Sequence, residues 1–524
     1  MKKFWMVTLA VAIFASILTG CGQKPAGEQI SDIDVAALGD LGGLEMPLDN
    51  KNTKITWIVA SSVEGLNDKY AMQALRSITG VNVQLEVYPL STVNDKVKVL
   101  FASKNLPDII GSGIATMTEI NDYGVQGALA SVNDNLDVMP NFKKIFKDNP
   151  ENDWVFKSYQ AGDGKLYAMH GYDINRDVNH GVLYRKDIFD KHGIEMWNSP
   201  EEFYQALKKL KEIYPDSHPF TSKNGDGIFE KLATSWGIDV SKAAYYNEDE
   251  KIWKSSITSP EYKDELDYLK KLYDEGLIDS EFLTLTQAQW TTRMTQENVS
   301  FVTWDWIGRL DMFKAQTAES VPTYDLRYGN PIGPKQTVAT LPKVFFPITV
   351  SNGKNTKLAC KLVDFFYSDA GRAFVSMGVP GETYNINDKG VADYVGFESG
   401  QKIEITELEE KYGLYIEGMY RGFDRRSSYF QFSEREQEAQ DYFTQEGRME
   451  PEDPIPLFTE EEQNEITKYQ TNLMTACKEF STNYILSDKT GDAAWSEWVA
   501  KADGLGCGKI VEIYNAAQKR YDAQ

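Results

Sequence analysis

An alternation of strand and helix patterns near the start of the folded region constrains the fold of this chain most. A β-branched segment at Lys54–Ala60 predicts a strand, and a helix with one apolar face follows it and ends at Gly80. Residues 81–88 alternate between apolar and polar side chains, a second helix is predicted at about 92–103, and 106–110 predicts a third strand. This order is typical of an open α/β sheet, whose ligands lie beyond the carboxyl ends of the strands.

The first 20 residues have the three zones of an export signal. Lys2 and Lys3 precede an apolar run at 4–18, which is shorter than the ~20 residues that a membrane span needs. The run ends in Leu-Thr-Gly-Cys, which resembles the bacterial lipobox, so Cys21 is expected to become the lipidated N-terminus on the extracytoplasmic face of the cell membrane. The alternative is an ordinary signal peptide that happens to end in cysteine.

The segment after the signal predicts a tether. Residues 21–50 are rich in Gly, Asp, Ala and Pro and show no sustained helix or strand period, so they are expected to form a flexible linker. No later window has the length and apolarity of a membrane span, and the chain after residue 50 is expected to be soluble and extracytoplasmic.

Size, charge and cysteine content narrow the function classes. Roughly 500 residues remain after the signal, more than one hydrophobic core holds, which predicts two lobes. The net charge of −23 makes nucleic acid an unlikely class of partner. Cys360, Cys477 and Cys507 allow at most one disulfide, and Cys360 has the surroundings of a small core residue. Their spacing offers no metal site, and we expect no cofactor.

Several short motifs occur in one order along the chain. They are Leu106-Pro-Asp-Ile-Ile110, Asp163-Gly-Lys-Leu-Tyr-Ala-Met169, Leu183-Tyr-Arg-Lys-Asp187, Leu277-Ile-Asp279, and the segments 363–372 and 377–384. With the lipobox, this order resembles the extracytoplasmic solute-binding proteins of ABC importers, particularly the sugar-binding lipoproteins of family 1. Residue 168 is Ala where the family has Gly, no Pro follows Met169, and the last 140 or so residues match less.

The resemblance implies a fold and a function. The fold is a type II periplasmic-binding-protein-like α/β architecture, with a ligand cleft between two lobes joined by crossover strands. The expected N-terminal lobe takes 51–170 and 326–385, and the C-terminal lobe takes 171–325 and 386–524. The expected function is a monomeric, lipid-anchored receptor that captures an oligosaccharide and delivers it to an ABC transporter permease, without catalysis. A peptide-binding receptor, a surface glycosidase and an adhesin are the alternatives.

One tripeptide predicts a sugar contact. Sugars present apolar faces that stack on aromatic rings and hydroxyl groups that bind carboxylates. Trp304, Asp305 and Trp306 follow an apolar strand and supply both kinds of group. Strand alternation alternatively buries one of the two tryptophans in the core.

Other candidate ligand contacts lie near predicted strand ends and crossovers. Tyr172 and Asp173 follow the first predicted crossover, whereas Glu64 and Ser112 lie in loops after the first and third strands. The resemblance also places a variable cleft residue near Trp236. The alternatives are a helix-packing role for Trp236 and simple solvation for the loop carboxylate.

Two further patterns have definite structural expectations. Ser199 and Thr258 are predicted helix N-caps, each with a glutamate three residues later. Arg421, Arg425 and Arg426 surround a Gly-Phe-Asp segment, where they either bind an anionic ligand such as a uronic acid or neutralise local carboxylates.

Overall fold

The structure is a computed structural model that describes residues 33–523, apart from 115, 174, 175, 177, 400, 402 and 451. The predicted signal and Cys21 lie outside the described residues, so the lipobox stays a prediction. Within the described part of the chain, no helix is long and apolar enough to cross a membrane.

The strands form two main sheets and three smaller pairs in the described chain. In chain order they are β1 (Lys54–Ala60), β2 (Asn82–Tyr88), β3 (Ile109–Ile110), β4 (Met169–Tyr172), β5 (His180–Arg185), β6 (Ala244–Asn247), β7 (Ile252–Ser255), β8 (Val302–Trp306), β9 (Leu326–Tyr328), β10 (Val338–Ala339), β11 (Val344–Val350), β12 (Tyr384–Ile386), β13 (Ala392–Tyr394) and β14 (Met449–Glu450).

Helices cover the sheets and form most of the last 90 residues. They are α1 (Tyr70–Thr79), α2 (Val93–Ser103), α3 (Met117–Val125), α4 (Pro140–Phe142), α5 (Trp154–Tyr159), α6 (Lys186–His192), α7 (Pro200–Ile213), α8 (Gly227–Ala233), α9 (Pro260–Asp274), α10 (Gln287–Thr295), α11 (Arg309–Gln316), α12 (Thr356–Phe365), α13 (Asp369–Met377), α14 (Ile405–Tyr412), α15 (Glu434–Glu446), α16 (Glu460–Leu486), α17 (Gly491–Gly504) and α18 (Cys507–Asp522). Short 3₁₀ turns lie at Val35–Leu38, Leu66–Asp68, Asn133–Val138, Thr234–Trp236 and Ser428–Phe430, and a π turn lies at Lys143–Lys147.

The first sheet has the order β2-β1-β3-β11-β4. β1 pairs in parallel with β2 along its whole length and with β3 at Trp57 and Ile58. β11 runs antiparallel to both β3 and β4. Because parallel neighbours need a crossover connection, α1 and α2 link the parallel strands, as the strand and helix pattern predicts. The chain leaves this sheet through β4 and returns to it through β11.

The second sheet has the order β8-β5-β9, and all its pairs are antiparallel. Its central strand, β5, faces two apolar clusters because successive side chains of a strand point to opposite faces. Val182 and Tyr184 belong to the larger cluster, and Leu183 belongs to the smaller one with Trp290 and Phe313.

The buried apolar residues form two large cores, one for each main sheet. The first core draws on residues 38–169 and 344–423. The second draws on 182–332 and 473–510. Each core is therefore built from two separate stretches of chain. The first two connections between the cores pass through β4 and β11, and a third lies between residues 423 and 473.

The start of the described chain differs from the flexible linker predicted at 21–50. Leu38 and Leu44 are buried in the first core. The backbone is also fixed, because Ala370 donates its N–H to the Asp40 carbonyl at 3.0 Å and Asp49 donates to the Thr79 carbonyl at 3.1 Å. The burial of these leucines could not be predicted from their spacing, because they pack from an irregular segment and not from one face of a helix or strand.

The two cores also suggest lobe boundaries different from those expected at 326–385 and 386–524. Residues 392–423 pack in the first core, including Tyr394, Leu408 and Met419. Leu326 and Ile332 pack with the second sheet. We propose that the lobes follow the cores, so that the N-terminal lobe includes 344–423 and the other lobe includes the terminal helices.

Two serine–proline pairs begin the long helices α7 and α9. Ser199 accepts a hydrogen bond from the Glu202 N–H at 3.2 Å, which confirms the predicted cap of α7. The N-cap of α9 is Ser259 and not the predicted Thr258. Ser259 accepts a hydrogen bond from the Tyr262 N–H at 3.2 Å, and Pro260 takes the first helical position. Proline suits that position because its missing N–H would have no helical partner there.

We expect Gly80→Ala to destabilise the protein more than Gly65→Ala. Both glycines have nearly the same left-handed backbone, with φ of 68° and 67°. A Cβ at Gly80 would lie 2.0 Å from the Asp49 carbonyl oxygen, whereas a Cβ at Gly65 meets nothing within 4 Å. The conformation alone costs about 1–2 kcal/mol, and the clash at Gly80 adds to it.

The free energies of unfolding from urea titrations measure this difference. Gly65→Ala is the control for the backbone conformation. Equal losses in the two variants would show that the segment before β1 does not pack on the end of α1.

Candidate functional site

A cavity of about 490 Å³ lies where the second sheet meets the chain segments that cross between the cores. The wall from the second lobe includes the start of β5, Trp304 of β8 and the region from α8 to β6. The other wall comes from the connection that leads towards β11 and from the chain after β14. These lining residues fall within 179–182, 230–246, 331–341 and 450–455, with Trp304.

A pair of stacked rings forms the aromatic surface of the cavity. The rings of His180 and Trp304 lie 5.0 Å apart between centroids, with an interplanar angle of 10°. They come from neighbouring antiparallel strands, β5 and β8. Desolvation lowers the pKa of His180; the Asp305 carboxylate opposes this shift, and the ammonium groups of Lys231 and Lys223 add to it. The ammonium group of Lys231 lies 5.7 Å from the centroid of the Trp304 ring, so a cation borders this aromatic surface.

Charged side chains surround this surface. The Lys242 ammonium lies 2.9 Å from an Asp453 carboxylate oxygen and 3.4 Å from one of Asp239. Although desolvation opposes its charge, Asp453 and Asp239 hold the pKa of Lys242 above its usual value. Desolvation raises the pKa of Glu452, which accepts the Lys343 N–H at 3.4 Å. The cavity therefore offers carboxyl groups and one flat aromatic pair, the two kinds of group that bind sugars.

Of the predicted tripeptide, Trp304 lines the cavity. Asp305 is buried, and its carboxylate accepts hydrogen bonds from Arg309 Nε at 2.8 Å and lies 3.1 Å from Lys223 Nζ. The half-buried ring of Trp306 packs on the smaller apolar cluster. Asp305 thus holds two cations beside the strand, and the structure brings one member of the three to the cavity.

Trp236 lies in the core, next to residues that line the cavity. Its side chain is buried, and its ring centroid is 5.8 Å from that of Tyr268. Its neighbours Ser235 and Gly237 line the cavity. This position matches the helix-packing alternative for Trp236.

Tyr172 and Asp173 lie at the crossover but not among the lining residues. The Tyr172 hydroxyl donates to Asn152 Oδ1 at 2.9 Å. The backbone N–H of Asp173 donates to the Lys343 carbonyl at 2.8 Å, and Lys343 in turn donates to the lining residue Glu452. These residues therefore join the crossover strands to one wall of the cavity.

Glu64 and Ser112 lie away from the cavity lining. Glu64 is exposed, and Ser112 is half-buried against Gly418. The chain itself covers the strand ends there, because the Trp57 indole N–H donates to the Gly418 carbonyl at 3.1 Å and Ala60 forms a bridge with Glu417. The carboxyl edge of β1 and β3 is thus occupied by the segment around Gly418.

Sequence reasoning missed most of the polar cavity residues. Lys242 lies more than 200 positions along the chain from Glu452 and Asp453, and no local motif marks any of the three. The stacking of His180 on Trp304 follows from the pairing of β5 with β8, which the sequence does not reveal. The one local signal was the aromatic pair of β8, which predicted Trp304.

Arg421 has a different role from both alternatives considered for the arginine cluster. It is fully buried, and its Nη1 donates to the carbonyl oxygens of Met169 at 2.9 Å and Phe346 at 2.6 Å. The Arg421 carbonyl accepts the Tyr172 N–H at 3.0 Å. Arg421 thereby ties β4 to β11. Arg426 pairs with Asp424 at 2.7 Å, as the neutralising alternative predicts.

A family comparison identifies the chain. The family model described as bacterial extracellular solute-binding protein matches residues 70–378, which is more than half of the sequence. The chain belongs to this family. The match confirms the resemblance to solute-binding proteins, and the family is one of binding proteins.

Curated relatives of the family come from Bacillus subtilis. The lipoprotein LipO is 25% identical over 301 residues, 55% of this chain and 53% of LipO. The polygalacturonan/rhamnogalacturonan-binding protein YtcQ is 24% identical over 307 residues, 55% of each chain. This chain therefore spans about half the length of the curated relatives it matches.

Solved structures of solute-binding proteins share the fold along most of the chain. The alginate-binding protein AlgQ2 superposes with a TM-score of 0.70 at 21% identity, covering 90% of this chain and 99% of AlgQ2. A solute-binding protein associated with an HMO-binding ABC transporter of Bifidobacterium longum infantis also gives 0.70, at 17% identity, covering 90% of this chain and 99% of its own. The two-lobe α/β fold is thereby confirmed.

We expect Arg421→Ala to lower the free energy of unfolding by about 2–5 kcal/mol, because it leaves two carbonyl oxygens without their donor and opens a cavity. Arg426→Ala is the matched control, since its side chain is exposed and its ion pair is worth about 1 kcal/mol or less. Urea unfolding monitored by tryptophan fluorescence compares them. Similar losses in both variants would contradict a tie between β4 and β11.

Proposed function

We propose that this protein is a lipid-anchored receptor that binds an oligosaccharide and delivers it to an ABC transporter permease. Membership of the solute-binding family supports a binding role without catalysis. Relatives and structural neighbours whose names include polysaccharide or sugar ligands support a carbohydrate. The observation that carries the proposal is the stack of His180 on Trp304 inside the cavity at the crossover.

The position of the cavity suggests how binding is signalled. Its walls come from the second lobe and from segments that join the lobes. A ligand that contacts both walls stabilises the arrangement in which they are close, and so shifts the population towards a closed receptor. A permease that recognises the closed arrangement then receives loaded receptors. The binding step involves no covalent chemistry.

We expect an oligosaccharide to raise the melting temperature of the purified protein and Trp304→Leu to weaken its binding by about tenfold or more, because the sugar face loses its aromatic surface. A thermal-shift screen of oligosaccharides and peptides finds the ligand, since a ligand at 100 times its Kd adds about 2.7 kcal/mol of stability. Titration calorimetry then measures the variant.

Trp306→Leu is the matched control, because Trp306 lies on the same strand and does not line the cavity. It is expected to bind the sugar as the unsubstituted protein does. A peptide that raises the melting temperature where no sugar does would replace the proposal with a peptide receptor. Release of reducing ends from a polysaccharide would replace it with a glycosidase, and silence of the whole screen favours an adhesin.

The anchor part of the proposal rests on Cys21. We expect Cys21→Ala to abolish labelling of the protein by a palmitate analogue in cells and to move it from the membrane fraction to the soluble fraction. A lipid chain stabilises membrane binding by about 0.8 kcal/mol for each buried CH₂, so its loss releases the protein. Cys360→Ala is the control, because Cys360 is buried in the first core. Unchanged labelling of Cys21→Ala would contradict the anchor.

A further inference from the structure

More acidic than basic residues line the cavity. Five acidic residues and two lysines line it; the acidic residues are Glu230, Asp239, Glu450, Glu452 and Asp453. A ligand in the cavity therefore faces an excess of carboxyl groups.

Both lysines already have carboxylate partners. Lys231 Nζ lies 3.0 Å from a Glu230 oxygen, and Lys242 lies between Asp239 and Asp453. An anionic ligand would have to compete with these partners for the ammonium groups. The lysines thus offset part of the acidic charge and leave little attraction for an anion.

Arginine, the side chain best suited to bind a carboxylate in two hydrogen bonds, is absent from the lining of this cavity as the structure describes it. Two arginines of the 421–426 cluster are already engaged elsewhere. Arg421 is fully buried and bonded to backbone carbonyls, and Arg426 is paired with Asp424.

We propose that the cavity selects neutral oligosaccharides and rejects those that contain uronic acids. This rests on the proposed function and names the class of its ligand. A hexose and its uronic acid differ only at C6, where a hydroxymethyl group replaces a carboxylate. The hydroxymethyl donates a hydrogen bond to a carboxyl group such as Glu452, whereas a carboxylate meets it as a like charge.

The test uses pairs of trisaccharides that differ only at C6, such as galactotriose and trigalacturonate, together with the methyl ester of the acid. The purified protein is titrated with each. For the pair whose sugar type fits, we expect the neutral member and the ester to bind at least about tenfold more tightly than the acid, as one like-charge contact of ~1.4 kcal/mol requires.

A salt series separates the cavity from the net charge of the whole protein. At about 0.5 M salt the screening length is only ~4 Å, so the general field of an acidic protein is largely removed. The preference for the neutral member is expected to persist, because contacts inside the cavity are closer than that and partly shielded from solvent. Equal binding of acid and neutral sugar at this salt concentration would overturn the proposal.

Glu452→Gln tests the contact itself. The amide oxygen keeps an acceptor for the Lys343 N–H while the charge is lost, so we expect the acid to bind several-fold more tightly and the neutral sugar to change little. Glu497→Gln is the control, because Glu497 is exposed on α17 and does not line the cavity.

The outcomes distinguish this proposal from the function on which it rests. Binding of the acid as tightly as, or more tightly than, its neutral partner overturns charge selection and leaves oligosaccharide binding intact. A variant Glu452→Gln that gains no affinity for the acid overturns the role of that carboxyl group. Binding of no sugar, neutral or acidic, overturns the proposed function and this proposal with it.

Discussion

A buried guanidinium holds together two of the strands through which the chain passes between its two lobes. Arg421 belongs to a segment that folds back on the first sheet, and it donates to one carbonyl of β4 and one of β11. A charge in such surroundings is expensive, since desolvation lowers the pKa of Arg421 and its Nε and Nη2 have no hydrogen-bond partner. The benefit that offsets this cost is structural, because the buried Arg421 side chain fixes the outgoing strand β4 relative to the returning strand β11. The placement of these two strands also sets where the chain segments that continue from them begin.

The cavity depends on this placement because its walls begin where those strands end. Asp173, just after β4, donates to the carbonyl of Lys343, just before β11. Lys343 donates to Glu452, which lines the cavity. A short chain of backbone contacts therefore connects the tie at Arg421 with a carboxyl group that faces the ligand space. The crossover strands and one wall of the cavity are thus linked through the same few residues.

Local patterns predicted the parts of the fold that local interactions form. The alternation in β2, the apolar face of α1 and the serine–proline start of α7 all have their causes within about ten residues. Lys242 pairs with Asp453, and β10 pairs with β14, across 100 residues or more. No periodicity records such pairs, so the polar side of the cavity and the return of 392–423 to the first core could not be predicted. Trp304 could be predicted, because its aromatic side chain and the strand that carries it are both evident from the local sequence.

The difference between local and long-range contacts also separates two kinds of charge. The net charge follows from composition, whereas the charge of the cavity depends on which distant residues the fold brings together. A net charge of −23 describes the average surface, and salt screens it. The carboxyl groups of Glu452 and Asp453 come from one short segment, which follows the pairing of β14 with β10 and lines the same cavity as the aromatic pair of the second sheet. Desolvation raises the pKa of both groups, so they lie in partly desolvated surroundings, where salt screens charges less. The proposed selection between a sugar and its acid therefore depends on where the chain crosses between the lobes, and much less on the composition of the chain.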